Sequence, residues 1–297
     1  MRYLIAALFF VAIITLAGCA ATQHIESGDK LAKRISSQKG LMAFWDFADT
    51  SGRPAAGAAK EVRLDPYGSA RFVKGSPFSG WAMELDGKSY WFIRHENSGA
   101  LDIKTNAVTV IAWVKWQGGM GFVAGKWNEY SDGGKRQYGL FLSLPYYNGE
   151  NQVCGHISKH GGPTAPFPFS IDYSASPQEV PPDEWVCVAF TYDGKYIRSY
   201  LNGVFEARDP ELIKHTAGFL EDHPQGLTQV KNPYYYPEGM GNNGSDFTVG
   251  AVLVKAGMGN FFKGKIGAVA VFDRALSDQE MKRIAVMPLQ PGDERTH

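Results

Sequence analysis

The chain has no net charge. Thirty Lys and Arg balance thirty Asp and Glu across 297 residues, which leaves no field to draw in nucleic acid or an acidic polymer. P-loops, dinucleotide fingerprints and nucleic-acid motifs are absent, so nucleic acid is not an expected partner and no cofactor is required. Internal repeats are missing. Cysteine is scarce, with only Cys19, Cys154 and Cys187. What is abundant is glycine, with 34 residues, and aromatic side chains at 13%. That mixture predicts many strands joined by tight turns.

One long apolar run exists, from Tyr3 to Cys19, preceded by Arg2. It is slightly shorter than the ~20 residues a spanning helix needs. A basic start, an apolar core and a small-residue end is the pattern of a secretory signal. The end, Leu16-Ala17-Gly18-Cys19, resembles the lipobox of bacterial lipoproteins. That resemblance implies removal of residues 1–18, lipid on Cys19, a membrane partner through that lipid, and a cell-envelope location. Ala20 stands where Asp would signal inner-membrane retention, so for a Gram-negative source the outer membrane is implied. Residues 19–40 are polar and read as a lipidated tether with room for a short helix. An envelope compartment permits disulfides, and Cys154 and Cys187 both lie in strand-like stretches. Either they bridge or they are two small buried hydrophobes that never meet.

From Leu41 the texture changes to short aromatic and β-branched runs: "LMAFWDF", "SARFVKG", "WAMELDG", "SYWFIRH", "AVTVIAWVKWQ", "GFVAGKW", "RQYGLFLSL" and "NQVCGHIS". "EWVCVAFTYDGKYIRSYLNGVFEAR" reads as three strands joined at Asp193-Gly194 and Asn202-Gly203. "DFTVGAVLV" and "FFKGKIGAVAVFDR" complete the series. Only "SDQEMKRIAVM" reads as a helix, with Ser277 and Glu280 spaced as a capping box. The prediction is an all-β, two-sheet antiparallel jelly-roll sandwich over 41–287 with a short C-terminal helix and a loose tail at 288–297. Two Pro-, Gly- and aromatic-rich insertions interrupt it, near 161–183 and 209–245, and loops of that length are usually functional or disordered.

The succession "AMELDGKSYWFI", "ALDIKTNAVTVIAWVKW", "DEWVCVAFTYDGKYIRSYLNG", "FTVGAV" and "FFKGKIGAVAVFDRALSDQEM" resembles a laminin-G-like domain of the concanavalin A-like lectin/glucanase superfamily. The resemblance implies a jelly roll whose concave face or rim binds carbohydrate or protein, with some relatives acting as glycoside hydrolases or polysaccharide lyases. It departs at Gly267, where many such domains carry an acidic residue that helps hold structural calcium. Asp46, Asp49 and Asp86 remain as candidate oxygen ligands for a structural Ca²⁺.

Paired carboxylates spaced for a glucanase are missing. Residue types used by lyases of this superfamily are present: Gln152 and His156 on one strand face with Cys154 between them, Arg136 on the preceding strand, and Tyr173 in the loop beyond. No catalytic residue is assigned from these; an enzyme would draw on His156, Gln152, Arg136 and Tyr173. For binding, Trp127 and Tyr130, Tyr146 and Tyr147, His160, and Tyr234, Tyr235 and Tyr236 with Asn242 offer ring faces and polar groups for a sugar, or else pack the long loops down. Trp113, Trp116 and Trp185 fall in strand patterns and belong to the core or a sheet face. The reading is a lipid-anchored carbohydrate-binding protein, with a polysaccharide-degrading enzyme and a protein-binding adhesion module as alternatives.

Overall fold

The structure is a computed structural model that describes residues 26–78, 80–129, 133–214 and 223–288. The strands are β1 Leu41–Trp45, β2 Asp65–Tyr67, β3 Arg71–Lys74, β4 Trp81–Asp86, β5 Tyr90–Ile93, β6 Val108–Trp116 and β7 Gly121–Lys126. They continue with β8 Tyr138–Leu144, β9 Gly149–Ile157, β10 Tyr173–Glu179, β11 Trp185–Tyr192, β12 Tyr196–Leu201 and β13 Val204–Phe205. The last are β14 Glu211–Ile213, β15 Leu227–Gln229, β16 Tyr234–Tyr235, β17 Phe247–Val249, β18 Val252–Val254, β19 Gly257–Gly259 and β20 Lys263–Phe272. Helix α1 spans Gly28–Ser36 and α2 spans Asp278–Ile284. No helix of the described residues is long and apolar enough to cross a membrane.

Two antiparallel sheets form the sandwich. The nine-stranded sheet runs β13-β12-β11-β6-β20-β4-β3, with β1 also paired to β20 and β16 to β12. The seven-stranded sheet runs β10-β9-β8-β7-β17-β5-β2. Strand alternation supplies the shared core. Val110, Ala112, Val114 and Trp116 of β6 face Tyr138, Leu140 and Leu142 of β8 and Val153 and Ile157 of β9 within one buried cluster. Trp45 of the larger sheet stacks on Phe247 of the smaller one at 5.5 Å. The all-β jelly roll with a short C-terminal helix is therefore as the sequence predicts.

The turns follow local chemistry. Asn202 and Gly203 both have positive φ, at 50° and 74°, as a two-residue hairpin requires. In the other hairpin Tyr192 stands opposite Ile197, and within the turn Asp193 Oδ1 accepts the N–H groups of Lys195 at 2.9 Å and Tyr196 at 2.7 Å. Ser277 and Glu280 form the reciprocal capping box of α2.

The alternate residues of each sheet point outward, and both outer faces are apolar. On the larger sheet, Ile111, Trp113, Cys187, Ala268 and Ala270 are covered by Leu31 and Ile35 of α1 and by Met281 and Ile284 of α2. Residues 28–36 of the expected tether form the short helix it left room for, and the correction is that this helix is docked, with Leu31 and Ile35 fully buried. On the smaller sheet, Phe122, Phe141, Cys154, Tyr173 and Ala175 are roofed by Phe167 and Ile171 of one insertion and Ile213 of the other. Both insertions thus cover the same face, and both carry strands: β10 lies in the first, and β14, β15 and β16 in the second.

The disulfide reading is also corrected. Cys154 and Cys187 are buried free thiols in the two different outer clusters. Each points away from the shared core, so the whole sandwich separates them. Burial pushes the Cys154 thiol up to about 12. Gly267 sits at a bulge in β20, between Ile266 and Ala268. A Cβ there would stand 2.9 Å from Pro77 Cδ and 3.0 Å from Ser76 Oγ, so the 76–77 loop occupies the space an acidic side chain would need.

Candidate functional site

The roof over the seven-stranded sheet is incomplete. It leaves a cleft of about 300 Å³ above β7, β8, β9 and β10. Alternation places Phe141 and His156 on this face, and the β9–β10 register sets Tyr173 directly opposite His156. On its other side His156 faces Gly139. A Cβ at Gly139 would come within 2.9 Å of Phe141 and 3.4 Å of Trp127, so the glycine makes room for the Trp127 indole. That indole lies over the imidazole with ring centres 4.4 Å apart. Tyr173 meets His156 edge-on at 5.6 Å.

These floor residues are almost closed off: Trp127 is 2% exposed, His156 4% and Tyr173 1%. The accessible wall is Tyr146 and Phe169, both half-buried and stacked at 4.6 Å. The lining also has polar members. Glu129 accepts a hydrogen bond from Asn260 Nδ2 at 3.4 Å. The Arg136 guanidinium stands 5.7 Å from the Trp127 ring and donates to Ser170 Oγ at 3.0 Å.

Electrostatics follow from burial. His156 is pushed well below the usual imidazole range, first by burial and then by the charges of Arg136 and Lys231. Burial raises the Glu129 carboxyl, opposed by Arg136. Burial likewise raises the Tyr173 phenol, whose hydroxyl donates to the Leu144 carbonyl at 3.1 Å. Behind the floor, Lys231 is fully buried, donates to the Ile171 carbonyl at 3.0 Å and stands 3.5 Å above the Tyr173 ring.

Of the residues predicted for the site, Trp127, Tyr146, Tyr147, His156, Arg136 and Tyr173 converge here. Tyr173 does so from the first position of β10 rather than from a loop. Others do not. Gln152 shares the outer face but its Oε1 accepts from Arg208 at 2.6 Å, within a network that includes Glu211. Tyr234 and Tyr236 are corrections: they are core residues at 9% and 6% exposure, because β16 pairs with β12 and turns them inward. Tyr235 is exposed but stands beside Tyr196 on the other sheet. His160 is exposed, 3.6 Å from Glu238, and Asn242 is exposed away from the cleft. Tyr130 and Cys19 lie outside the described residues.

Sequence reasoning missed Phe169, Glu129, Ser170 and Asn260. "PFPFS" and "KWNEY" carry aromatic signals that could have drawn in the first two. Asn260 carries none, since only the β19–β20 connection brings it to the cleft.

The calcium candidates are engaged in local turns. Asp46 and Asp49 follow β1 and accept the N–H groups of Ala48 and Ser51. Asp86 ends β4 and accepts from Ser69, Ser89 and the Lys88 N–H. Among the described residues no group of three or more His, Cys, Asp or Glu side chains is arranged to hold a metal ion.

A family model described as the concanavalin A-like lectin/glucanases superfamily, of laminin-G type, matches residues 85–218. Among solved structures, the chain is similar to domain 4 of AbnA, a GH43 extracellular arabinanase from Geobacillus stearothermophilus, determined with arabinotriose. The TM-score is 0.52 at 16% identity, covering 82% of this chain and 98% of that one. It is also similar to the binding domain of botulinum neurotoxin DC in complex with SialylT, at TM-score 0.52 and 8% identity. There the match covers 82% of this chain and half of the other. These similarities establish the concanavalin A-like, lectin-like fold. No curated protein matches the chain by sequence.

Proposed function

We propose that this chain is a lipid-anchored cell-envelope protein that binds carbohydrate in the cleft over the seven-stranded sheet. The observation that carries the reading is the stacked Tyr146–Phe169 wall in one cleft with Glu129 and Asn260. A pyranose or furanose ring presents an apolar C–H face to such a wall, while carboxyl and amide groups bond its hydroxyls. The anchor reading is supported by the lipobox-like Leu16-Ala17-Gly18-Cys19 directly after the apolar run.

The enzyme alternative draws on His156, Arg136 and Tyr173 lining the same cleft. Two observations weigh against it: Gln152 is held by Arg208, and the Tyr173 hydroxyl is committed to a backbone carbonyl. The binding reading needs no calcium.

The test is a polysaccharide panel scored for retention and for product release. Arabinan oligosaccharides come first, because a domain of the same fold was determined with arabinotriose. The expected result is retention without products, lost in Tyr146→Ala and kept in Tyr235→Ala. Unsaturated products that vanish with His156→Ala would replace this reading with a lyase. Silence on both counts would favour the adhesion module.

A further inference from the structure

The outer face of the nine-stranded sheet changes character along β6 and β20. Beyond Trp113 the next outward residue of β6 is Lys115, and it stands directly opposite Lys265 of β20. Lys263 follows two residues away on the same face, beside a hollow of about 450 Å³ that Arg71 also lines. Like charges placed opposite each other on neighbouring strands are destabilising. Glu84 and Asp86 of β4 stand directly opposite Lys265 and Lys263, so this face sets the four cations Lys115, Lys263, Lys265 and Arg71 against two carboxylates and stays basic. Glu84 is taken by two donors of Arg71, at 2.9 and 2.7 Å. Asp86 is taken by Ser69, Ser89 and the Lys88 N–H. Among the described residues, Lys115, Lys263 and Lys265 make no side-chain hydrogen bond or ion pair.

The same end of the sheet is where the N-terminal segment leaves the fold. A Cβ on Gly28, the first residue of α1, would stand 2.7 Å from the carbonyl oxygens of Pro77 and Phe78. The loop carrying Pro77 rests on Gly267, with Ser76 Oγ donating to its carbonyl at 3.1 Å. Gly267 is two residues from Lys265. From there α1 runs toward the opposite end of β20, where Gly40 lies beside Asp273. Gly28 lies nine positions after Cys19, a reach of roughly 30 Å when extended.

We propose that this lysine shelf docks on anionic phospholipid headgroups of the bilayer that holds Cys19, turning the aromatic cleft, on the opposite outer face, away from the membrane. The inference rests on the lipid-anchor reading above. A covalent lipid and a basic patch act together, because the lipid holds the patch within the short range over which anionic headgroups attract it.

The test uses the full lipidated protein in vesicles of phosphatidylcholine alone or mixed with phosphatidylglycerol. Lysines are acylated with a water-soluble reagent and read residue by residue by mass spectrometry. The expected result is several-fold weaker labelling of Lys115, Lys263 and Lys265 in the mixed vesicles, reversed by high salt. Lys255, exposed beside the cleft, labels equally in both. The triple variant Lys115→Gln, Lys263→Gln, Lys265→Gln should still bind glycan. Equal labelling of the shelf in both vesicles overturns the proposal. So does protection by soluble heparin but not by vesicles, which would make the shelf a site for acidic polysaccharide. An unmodified Cys19 in the same digest would overturn the anchor reading itself, and the docking with it.

Discussion

The two outer faces of this sandwich begin alike and end differently. On each sheet, alternation leaves an apolar stripe that cannot face water. On the larger sheet two amphipathic helices seal it: Leu31, Ile35, Met281 and Ile284 are all at most 1% exposed. On the smaller sheet two irregular insertions cover it, and they leave the cleft at Tyr146 and Phe169. A helix presents one regular apolar stripe, which matches the apolar stripe of the sheet beneath it. Pro- and Gly-rich loops place aromatic rings one at a time, and openings remain between them. The sealed face therefore serves stability, and the roofed face can be open to a ligand.

The sharpest way to break this division is to remove one large ring from each face. Trp113 is fully buried under the helices, and its indole N–H donates to the Val286 carbonyl at 2.7 Å. Trp113→Ala is expected to cost ~3–5 kcal/mol in denaturant unfolding while leaving glycan retention in the folded fraction unchanged. Phe169→Ala, at the half-buried wall, is expected to lose retention with a stability change of about 1 kcal/mol. Equal stability losses at the two positions would erase the distinction.

A smaller effect tests whether α1 belongs to the sealed face or merely rests on it. Leu31→Ala is expected to cost ~2–4 kcal/mol, measured by the same unfolding curve. Lys33→Ala, on the exposed side of that helix, is expected to change it by under about 0.5 kcal/mol. A silent Leu31→Ala would return residues 28–36 to the status of a tether.

Protons separate the faces next. Under the roof, burial brings Lys231 down from 10.5 to about 7 in the folded protein. Between those values the unfolded chain binds the extra proton, so this group makes stability rise with pH from about 7 to about 10.5. One proton limits the slope to ~1.4 kcal/mol per pH unit. Lys231→Met should flatten that window. On the sealed side, Arg274 holds the Glu280 carboxyl down at about 2, from 4.5. Its contribution is fully present above 4.5 and is lost as pH falls toward 2. Stability measured against pH in the wild type, Lys231→Met and Glu280→Gln should therefore change in different windows.

Much of the fold was legible because local signals and tertiary structure agree. The runs of β6, β11 and β20, the Asn202-Gly203 turn and the capping box at Ser277 all need only neighbours in sequence. The two thiols show the limit. Alternation tells which residues share a face of one strand, but not whether that face looks into the sandwich or out of it. Cys154 and Cys187 both look out, in opposite directions. The docking of helix α1 was hidden because only Leu31 and Ile35 of its nine residues are buried large side chains. At the site, Trp127, Tyr146 and His156 could be named from residue type. Tyr234 and Tyr236 look the same in sequence, yet β16 pairing sends them into the core.

The smallest expected effect bears on how the seal is held. The Ser277 side chain accepts the Glu280 N–H at 3.3 Å, and the Glu280 carboxylate accepts the Ser277 N–H at 2.8 Å. Two donors that the first turn of α2 would leave unsatisfied are thereby satisfied. Ser277→Ala removes one half and is expected to cost ~1 kcal/mol. Glu280 keeps its ion pair with Arg274 at 2.7 Å in that variant, so its titration should stay low while overall stability drops. If Ser277→Ala instead loosened α2 enough to expose Met281, the seal would depend on the cap rather than on packing. Amide hydrogen exchange along 278–284, compared with exchange along β10 in the same sample, distinguishes the two: a pure cap loss raises exchange only in the first turn of α2. Loss of the packed seal would raise it through the last turn and along β13, whose hairpin glycine Gly203 lies against the Met281 carbonyl.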